Sequence, residues 1–290
     1  ENPKNPTTGL QSLRAAGIDV FHAKNVREYR TEETCTDVVQ FARTQGFRTI
    51  VFWNAIAQAK VLIAQSLSTR RIFDVSPGEM YFHSLARYFA TPPRDLPFLA
   101  TQDYGRLLTG VIVKYAGERE RARDVLGTSV HVIPNGVELA PLRPRPPACA
   151  PEPLRVGTVA RLSPDKKLEE LLEAFAHVRT LKSQNVTLYV LGARDASHDT
   201  YANELRGRSD PGVVWLPETD DVRGFLQKLD VFAMVSEPQG CPNALLEAMA
   251  EGLPVVATDA GGARELIGDS GLVTPRGDAE ALGEGLAKLL

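Results

Sequence analysis

Six short apolar runs recur through the second half of the chain: Leu154–Val159, Val186–Leu191, Val213–Leu216, Val231–Val235, Pro254–Thr258 and Leu272–Thr274. Continuous apolar runs of this length fit strands buried on both faces, and a helix fills each gap except a short one before Leu272. The first gap is the clearest: Lys167–Leu181 carries Leu168, Leu171, Leu172, Phe175 and Val178 at i, i+3, i+4, i+7 and i+10, one face of a helix. Strands alternating with helices at this spacing argue for a parallel sheet covered on both faces. Residues 154–290 are therefore expected to form a doubly wound α/β domain, with ligands outside the carboxyl ends of its strands.

The first half repeats the pattern less regularly. Ile18–His22, Thr49–Trp53, Arg71–Val75, Gly110–Val113 and Val130–Ile133 read as strands. Thr31–Gln45, Ala55–Leu67, Glu79–Phe89 and Glu118–Leu126 read as helices, with a proline-rich connection at Thr91–Pro97. Residues 140–153 hold six prolines in fourteen positions, a stretch that supports neither a helix nor a central strand and behaves as a stiff spacer. The expected organisation is a domain at 1–139, a linker at 140–153 and a domain at 154–290. The chain starts without a methionine and stops inside an amphipathic helix (Leu282, Leu286, Leu289) that has no cap. It is therefore expected to be cut at both ends, with the first domain incomplete.

Composition narrows the partners. The net charge of -3 over 290 residues gives no reason to expect nucleic acid. Residues 1–150 carry 19 Lys and Arg against 14 Asp and Glu, a balance of +5, whereas residues 151–290 carry 14 against 22, a balance of -8. That asymmetry is either chance variation or the mark of an N-terminal half that approaches an anionic membrane or acceptor. Cys35, Cys149 and Cys241 lack paired spacing and the five histidines are scattered, which argues against a disulfide framework or a metal site. No apolar run reaches membrane-spanning length, and no signal peptide opens the chain. A cytoplasmic location, with or without membrane association, is the expectation.

Chemistry concentrates in two places. Arg161 and Lys166 flank a Ser163-Pro164-Asp165 turn at the carboxyl end of the first strand of the second domain. Two cations and a helix start there can neutralise a diphosphate, or they are solvated surface charges capping a helix. The stretch SEPQGCPNALLEAMAEGLPVVATDAGGARELI, residues 236–267, holds the rest. Asn243 is a good N-cap for a helix to about Ala250, and Glu247 lies one turn along the same face. Glu247 sits among Ala244, Leu245, Leu246 and Ala248, so its carboxylate needs a partner, which two vicinal hydroxyls would supply. Gly240 permits close backbone approach and a positive φ. Cys241 has no histidine within local reach and reads as a packed thiol. Gly261-Gly262 reads as a turn into another helix. Asp74 and His83 form no catalytic constellation.

The segment PNALLEAMAEGLPVVATDAGGARELI resembles the donor-site signature of retaining glycosyltransferase family 4, whose fold is GT-B: two Rossmann-like doubly wound α/β domains. The signature is a Glu, seven residues and a second Glu; here Glu247 matches the second position and Gln239 stands at the first. Arg161 and Lys166 resemble the pair that grips the donor pyrophosphate, at the same five-residue offset. The resemblance implies transfer of a sugar from a nucleotide-diphosphate donor to a hydroxyl of a carbohydrate or lipid-linked acceptor, with retention and with no metal or other cofactor. It assigns catalysis to Arg161, Lys166 and Gln239, and the donor ribose to Glu247. Gly240, Cys241, Pro242 and Asn243 would face the transferred sugar, Leu216 and Pro217 would border the nucleobase, and Gly261 and Gly262 would reach a phosphate or the sugar. Asn135-Gly136 resembles the family's segment at the end of the acceptor-side first domain. Two rival readings are a non-catalytic nucleotide-sugar-binding module and a nucleotide-sugar epimerase.

Overall fold

In the computed structural model, which describes residues 13–21, 31–53, 55–90, 100–139, 141, 153–181, 185–193, 196–237 and 239–290, strands and helices alternate along the chain. The first half contains α1 (Thr31–Thr44), β1 (Thr49–Trp53), α2 (Ala57–Ser66), β2 (Arg71–Val75), α3 (Tyr81–Ala90), α4 (Thr101–Leu107), β3 (Gly110–Val113), α5 (Arg119–Leu126) and β4 (Val130–Val132). The second contains β5 (Leu154–Val159), α6 (Leu168–Leu181), β6 (Val186–Leu191), α7 (Asp199–Arg208), β7 (Val213–Leu216), α8 (Val222–Leu226) and β8 (Val231–Met234). It ends with α9 (Asn243–Ala250), β9 (Val255–Thr258), α10 (Ala263–Ile267), β10 (Leu272–Thr274) and α11 (Ala279–Leu289).

Two departures from the sequence pattern stand out. Residues 18–21 form no strand, although their composition suggested one, and His22 lies outside the described residues. Helix α4 was not expected, because Gly105 and the aromatic Tyr104 break the helical pattern; tertiary packing buries both. The proline-rich stretches at 91–97 and at 142–152 lie outside the described residues.

The strands form a four-stranded sheet of order β1-β2-β3-β4 and a six-stranded sheet of order β10-β9-β8-β5-β6-β7. The chain divides into two compact units that are discontinuous in sequence. One comprises Glu1–Val75, Arg87–Val111 and Leu126–Ser129; the other comprises Ser76–Ala86, Ile112–Val125 and Val130–Leu290.

In the first unit β1 and β2 run parallel, Thr49 opposite Arg71 and Trp53 opposite Val75. Asp74 on β2 is fully buried, bound by the Lys60 ammonium at 2.7 Å and by the Tyr104 hydroxyl at 2.9 Å. Its role is to anchor α2 and α4 to the sheet. A buried carboxylate that accepts both an ammonium and a phenol has its charge compensated.

In the second unit every resolved strand pair is parallel. Successive residues of β8 point to opposite faces, as a period of two requires: Val231 and Ala233 enter one core, Phe232 and Met234 the other. The first core is closed by α6, α7 and α11 through Leu171, Phe175, Leu205 and Leu286. The second is closed by α8, α9 and α10 through Phe225, Leu245 and Ile267. Among the described residues no helix is long and apolar enough to cross a membrane.

Replacing Asp74 by Ala leaves the Lys60 ammonium buried without this counter-charge. Urea denaturation should show the first unit weakened by about 3–5 kcal/mol, whereas the paired change of Lys60 to Met and Asp74 to Leu should recover most of the loss.

Candidate functional site

Counting from β5, the six-stranded sheet has the doubly wound order 3-2-1-4-5-6, and its strand order reverses between β5 and β8. Because the strands are parallel, the loops that follow β5, β7, β8, β9 and β10 all leave at one rim. Arg161 and Lys166 follow β5, and Gln239 follows β8, so these three residues border the reversal.

The 160–167 loop is held by the Leu162 amide donating to Ala193 O at 3.1 Å and by the buried residues Leu162 and Ser163. The Ser163 hydroxyl donates to Asp165 Oδ1 at 2.5 Å, closing a 3₁₀ turn at Pro164–Lys166. Lys167 ends it with φ +48°, the one non-glycine positive φ among the described residues. Such backbone persists where its surroundings over-determine it. The turn leaves Arg161 exposed and without an ion pair among the described residues, while Lys166 lies 3.0 Å from Asp165. Burial pushes the Asp165 carboxyl up, but the Ser163 and Lys166 hydrogen bonds outweigh it and hold the group below its ordinary value. The loop thus presents Arg161, Lys166 and Lys167 against a single carboxylate, a surplus of positive charge suited to a phosphate.

The loop after β8 is joined to this one by the Glu237 amide, which donates to Asp165 O at 2.9 Å. Two residues on, the main chain of Gln239 is bonded from both sides. Its amide donates to Glu79 Oε2 at 3.0 Å and its carbonyl accepts from the Glu79 amide at 3.1 Å. Gly240 does allow close backbone approach, but what approaches is the chain itself: a Cβ there would collide with the Pro77 carbonyl oxygen. The positive φ expected at Gly240 occurs instead at Gly261, +56°, where a Cβ would lie 2.6 Å from the carbonyl oxygens of Gln239 and Gly240. The Gly262 amide donates to Gly240 O at 2.8 Å. Gly261 and Gly262 therefore pack the β9 turn against the Gln239 loop.

Asn243 is not the N-cap of α9. Pro242 takes that position with extended backbone, and Asn243 is the first helical residue. The Asn243 side chain instead accepts a hydrogen bond from Asn135 Nδ2 at 2.8 Å. Asn135 also donates through Nδ2 to Cys241 O at 2.8 Å and through its amide to Cys241 Sγ at 3.2 Å. Burial pushes the Cys241 thiol up, which keeps it neutral and agrees with a packed, non-nucleophilic role. Glu247 is half-buried, and burial raises its carboxyl above the usual range. That carboxyl has no hydrogen bond or ion pair among the described residues. It lines a cavity of about 480 Å³ with Gly136, Val137, Asp220, Arg223 and Asn243. Leu216 and Pro217 line another, of about 580 Å³, with Tyr189, Leu191 and Phe225. Arg161 and Lys166 line neither of these two cavities.

Three residues of the rim were invisible to sequence reasoning. Arg276, in the loop after β10, donates to Glu79 Oε1, to Glu237 Oε1 at 3.1 Å and to the Asp259 carbonyl. Burial alone would lower its pKa, but the two carboxylates outweigh that and raise it. For Glu79 burial acts upward, and the Gln239 amide and Arg276 together bring the group below its ordinary 4.5. A depressed carboxylate keeps its contacts above that value and loses them only as the pH falls through the lowered one. The partners lie 160 and 197 positions from Glu79, so no local signal could have paired them. Similarly, Glu265 accepts from the amides of Ala116 at 2.7 Å and Gly117 at 2.8 Å. Among the described residues no cluster of three His, Cys, Asp or Glu side chains could hold a metal ion.

Residues 153–290 match the sequence model of the family described as glycosyl transferases group 1. The amylovoran biosynthesis glycosyltransferase AmsK of Erwinia amylovora is 34% identical over 150 residues, covering 48% of this chain and 36% of AmsK. The lipopolysaccharide core biosynthesis mannosyltransferase LpcC of Rhizobium leguminosarum bv. viciae is 30% identical over 238 residues, covering 72% of this chain and 65% of LpcC. The chain thus spans less than two thirds of the length of either relative. The crystal structure of Anabaena Alr3699/HepE in complex with UDP and glucose superimposes with a TM-score of 0.71 at 20% identity, covering 96% of this chain and 78% of HepE. The α/β architecture with two parallel sheets is the GT-B fold.

Proposed function

We propose that this chain belongs to a retaining glycosyltransferase that moves a sugar from a nucleotide-diphosphate donor to an acceptor hydroxyl. The observation that carries the reading is the junction of two loops at the reversal of strand order, where the Glu237 amide meets Asp165 O. That bond sets Arg161, which has no ion pair among the described residues, and the Lys166 ammonium beside the Gln239 loop. Departure of a nucleoside diphosphate requires positive charge at the leaving oxygens, and fixed cations beside a helix start supply it without a metal. Glu247, half-buried and without an ion pair among the described residues, suits the vicinal hydroxyls of a ribose, which can donate two hydrogen bonds to it. Gln239 and its loop would orient the sugar. The relatives named for polysaccharide and lipopolysaccharide synthesis, and the UDP and glucose named for HepE, support a nucleotide-sugar donor and a carbohydrate or lipid-linked acceptor. We place the reaction in the cytoplasm, with the basic first half toward an anionic acceptor or membrane surface.

Calorimetry with UDP, GDP and their sugars is the first measurement, followed by product analysis with a hydroxyl acceptor. Binding with glycosyl transfer supports the reading, binding without turnover supports a non-catalytic module, and conversion of the free nucleotide sugar supports an epimerase. Arg161→Ala and Lys166→Ala should each weaken nucleoside diphosphate binding by about ten- to a hundredfold, the worth of one charged hydrogen bond. Gly240→Ala, which forces a methyl group into the Pro77 carbonyl, should cost about 1–3 kcal/mol in denaturation and raise KM for the donor.

A further inference from the structure

Glu79 makes contacts unlike those of an ordinary surface ion pair. It bonds to the main chain of a single residue in both directions, accepting from the Gln239 amide at 3.0 Å and donating to the Gln239 carbonyl at 3.1 Å. Its other carboxylate oxygen is held by Arg276, which is itself fixed by Glu237 and by the Asp259 carbonyl. The backbone beside it leaves no slack: a Cβ on Gly78 would lie 2.8 Å from Gly240 Cα. Residues 77–79 and 239–240 therefore touch main chain to main chain, and a shift in one passes to the other without a side chain to absorb it. With both its backbone groups committed and its side-chain Oε1 accepting from the Gly240 amide at 3.3 Å, Gln239 has its side-chain Nε2 left, among the described residues, to turn toward a ligand. The cation loop has contacts of its own, those of Leu162, Ser163 and Asp165, and meets the β8 loop at Glu237, whose amide donates to Asp165 O, and not at Glu79.

We infer that Glu79 is a positioning residue for the Gln239–Pro242 loop, so that the grip on the sugar portion of a nucleotide sugar, and not on its diphosphate, depends on this carboxylate. The inference rests on the nucleotide-sugar reading given above. It separates two roles at one rim: Arg161 and Lys166 for the phosphates, and Glu79 with Arg276 for the shape of the loop that meets the sugar.

The test is calorimetric titration of the 290-residue chain and of Glu79→Ala and Glu79→Gln with UDP, GDP, UDP-glucose and GDP-mannose, with thermal melts as a check on folding. Glu79→Ala should weaken the bound nucleotide sugar by about tenfold, the size expected for a charge-assisted hydrogen bond, and leave the matching nucleoside diphosphate within about twofold. Glu79→Gln keeps an acceptor for the Gln239 amide and loses the charge that holds Arg276, so it should fall between, at roughly threefold. If Glu79→Ala does not fold, the Gln variant alone decides, by the same ratio of sugar to diphosphate affinity. Equal weakening of both ligands, or an unchanged ratio, overturns the assignment of Glu79 while the nucleotide-sugar reading stands. An unaltered chain that binds none of the four overturns that reading, and the inference falls with it.

Discussion

Strands β5 and β8 lie side by side although β6 and β7 separate them in the chain, and the loops that follow them lead away in opposite directions. The peptide groups of those loops have no strand neighbour at the rim, yet a buried amide or carbonyl must find a partner. They find one another. Glu237 N to Asp165 O, Gly262 N to Gly240 O and Glu79 N to Gln239 O are all main-chain bonds between loops that are remote in sequence. Sheet topology thus assembles the rim before any ligand is considered, because satisfying its backbone already brings these loops together.

Backbone satisfied in this way leaves side chains as the variable part, and their charges are distributed unevenly. Arg276 is committed to Glu79 and Glu237, and Arg264 to Asp259 at 2.7 Å. Arg161 is committed to none of them. A ligand anion arriving at this rim meets one guanidinium that has no ion pair among the described residues and two others that must break one. Since breaking a hydrogen-bonded pair offsets most of the gain from forming a new one, the proposed placing of the donor phosphates at Arg161 accords with what the other arginines already hold.

Much of this was legible in the sequence, and the limits have a physical cause. The α/β alternation, the helix face of α6 and the position of Arg161 and Lys166 after a strand follow from local periodicity, which one sequence carries in full. Asn135 was marked through its resemblance to the family's segment at the end of the first domain, but its three bonds to Cys241 and Asn243 are tertiary. Asn243 has the side chain of a good N-cap, yet Pro242 takes the N-cap position, and the Asn243 side chain pairs with Asn135 instead. Gly240 was marked for close approach without any means of telling that Pro77 is what approaches. Glu79 and Arg276 carry no local signature, because a carboxylate or guanidinium next to a glycine reads as a solvated turn.

The amide at position 239 sits in the same uneven distribution of charge. Two carboxylates, Glu79 and Glu237, already flank Arg276, and Glu79 lies within hydrogen-bonding distance of the Gln239 main chain. A third carboxylate there would add like-charge repulsion in a partly buried rim, raising the carboxyl pKa values and loosening the bonds that shape the loop. A neutral side chain of the same length keeps hydrogen-bonding capacity toward hydroxyl groups and spares the Glu79–Arg276 contact. Negative charge at this end of the rim is thus supplied by Glu79 and Glu237, residues that also fix the backbone, while the residue they position stays neutral.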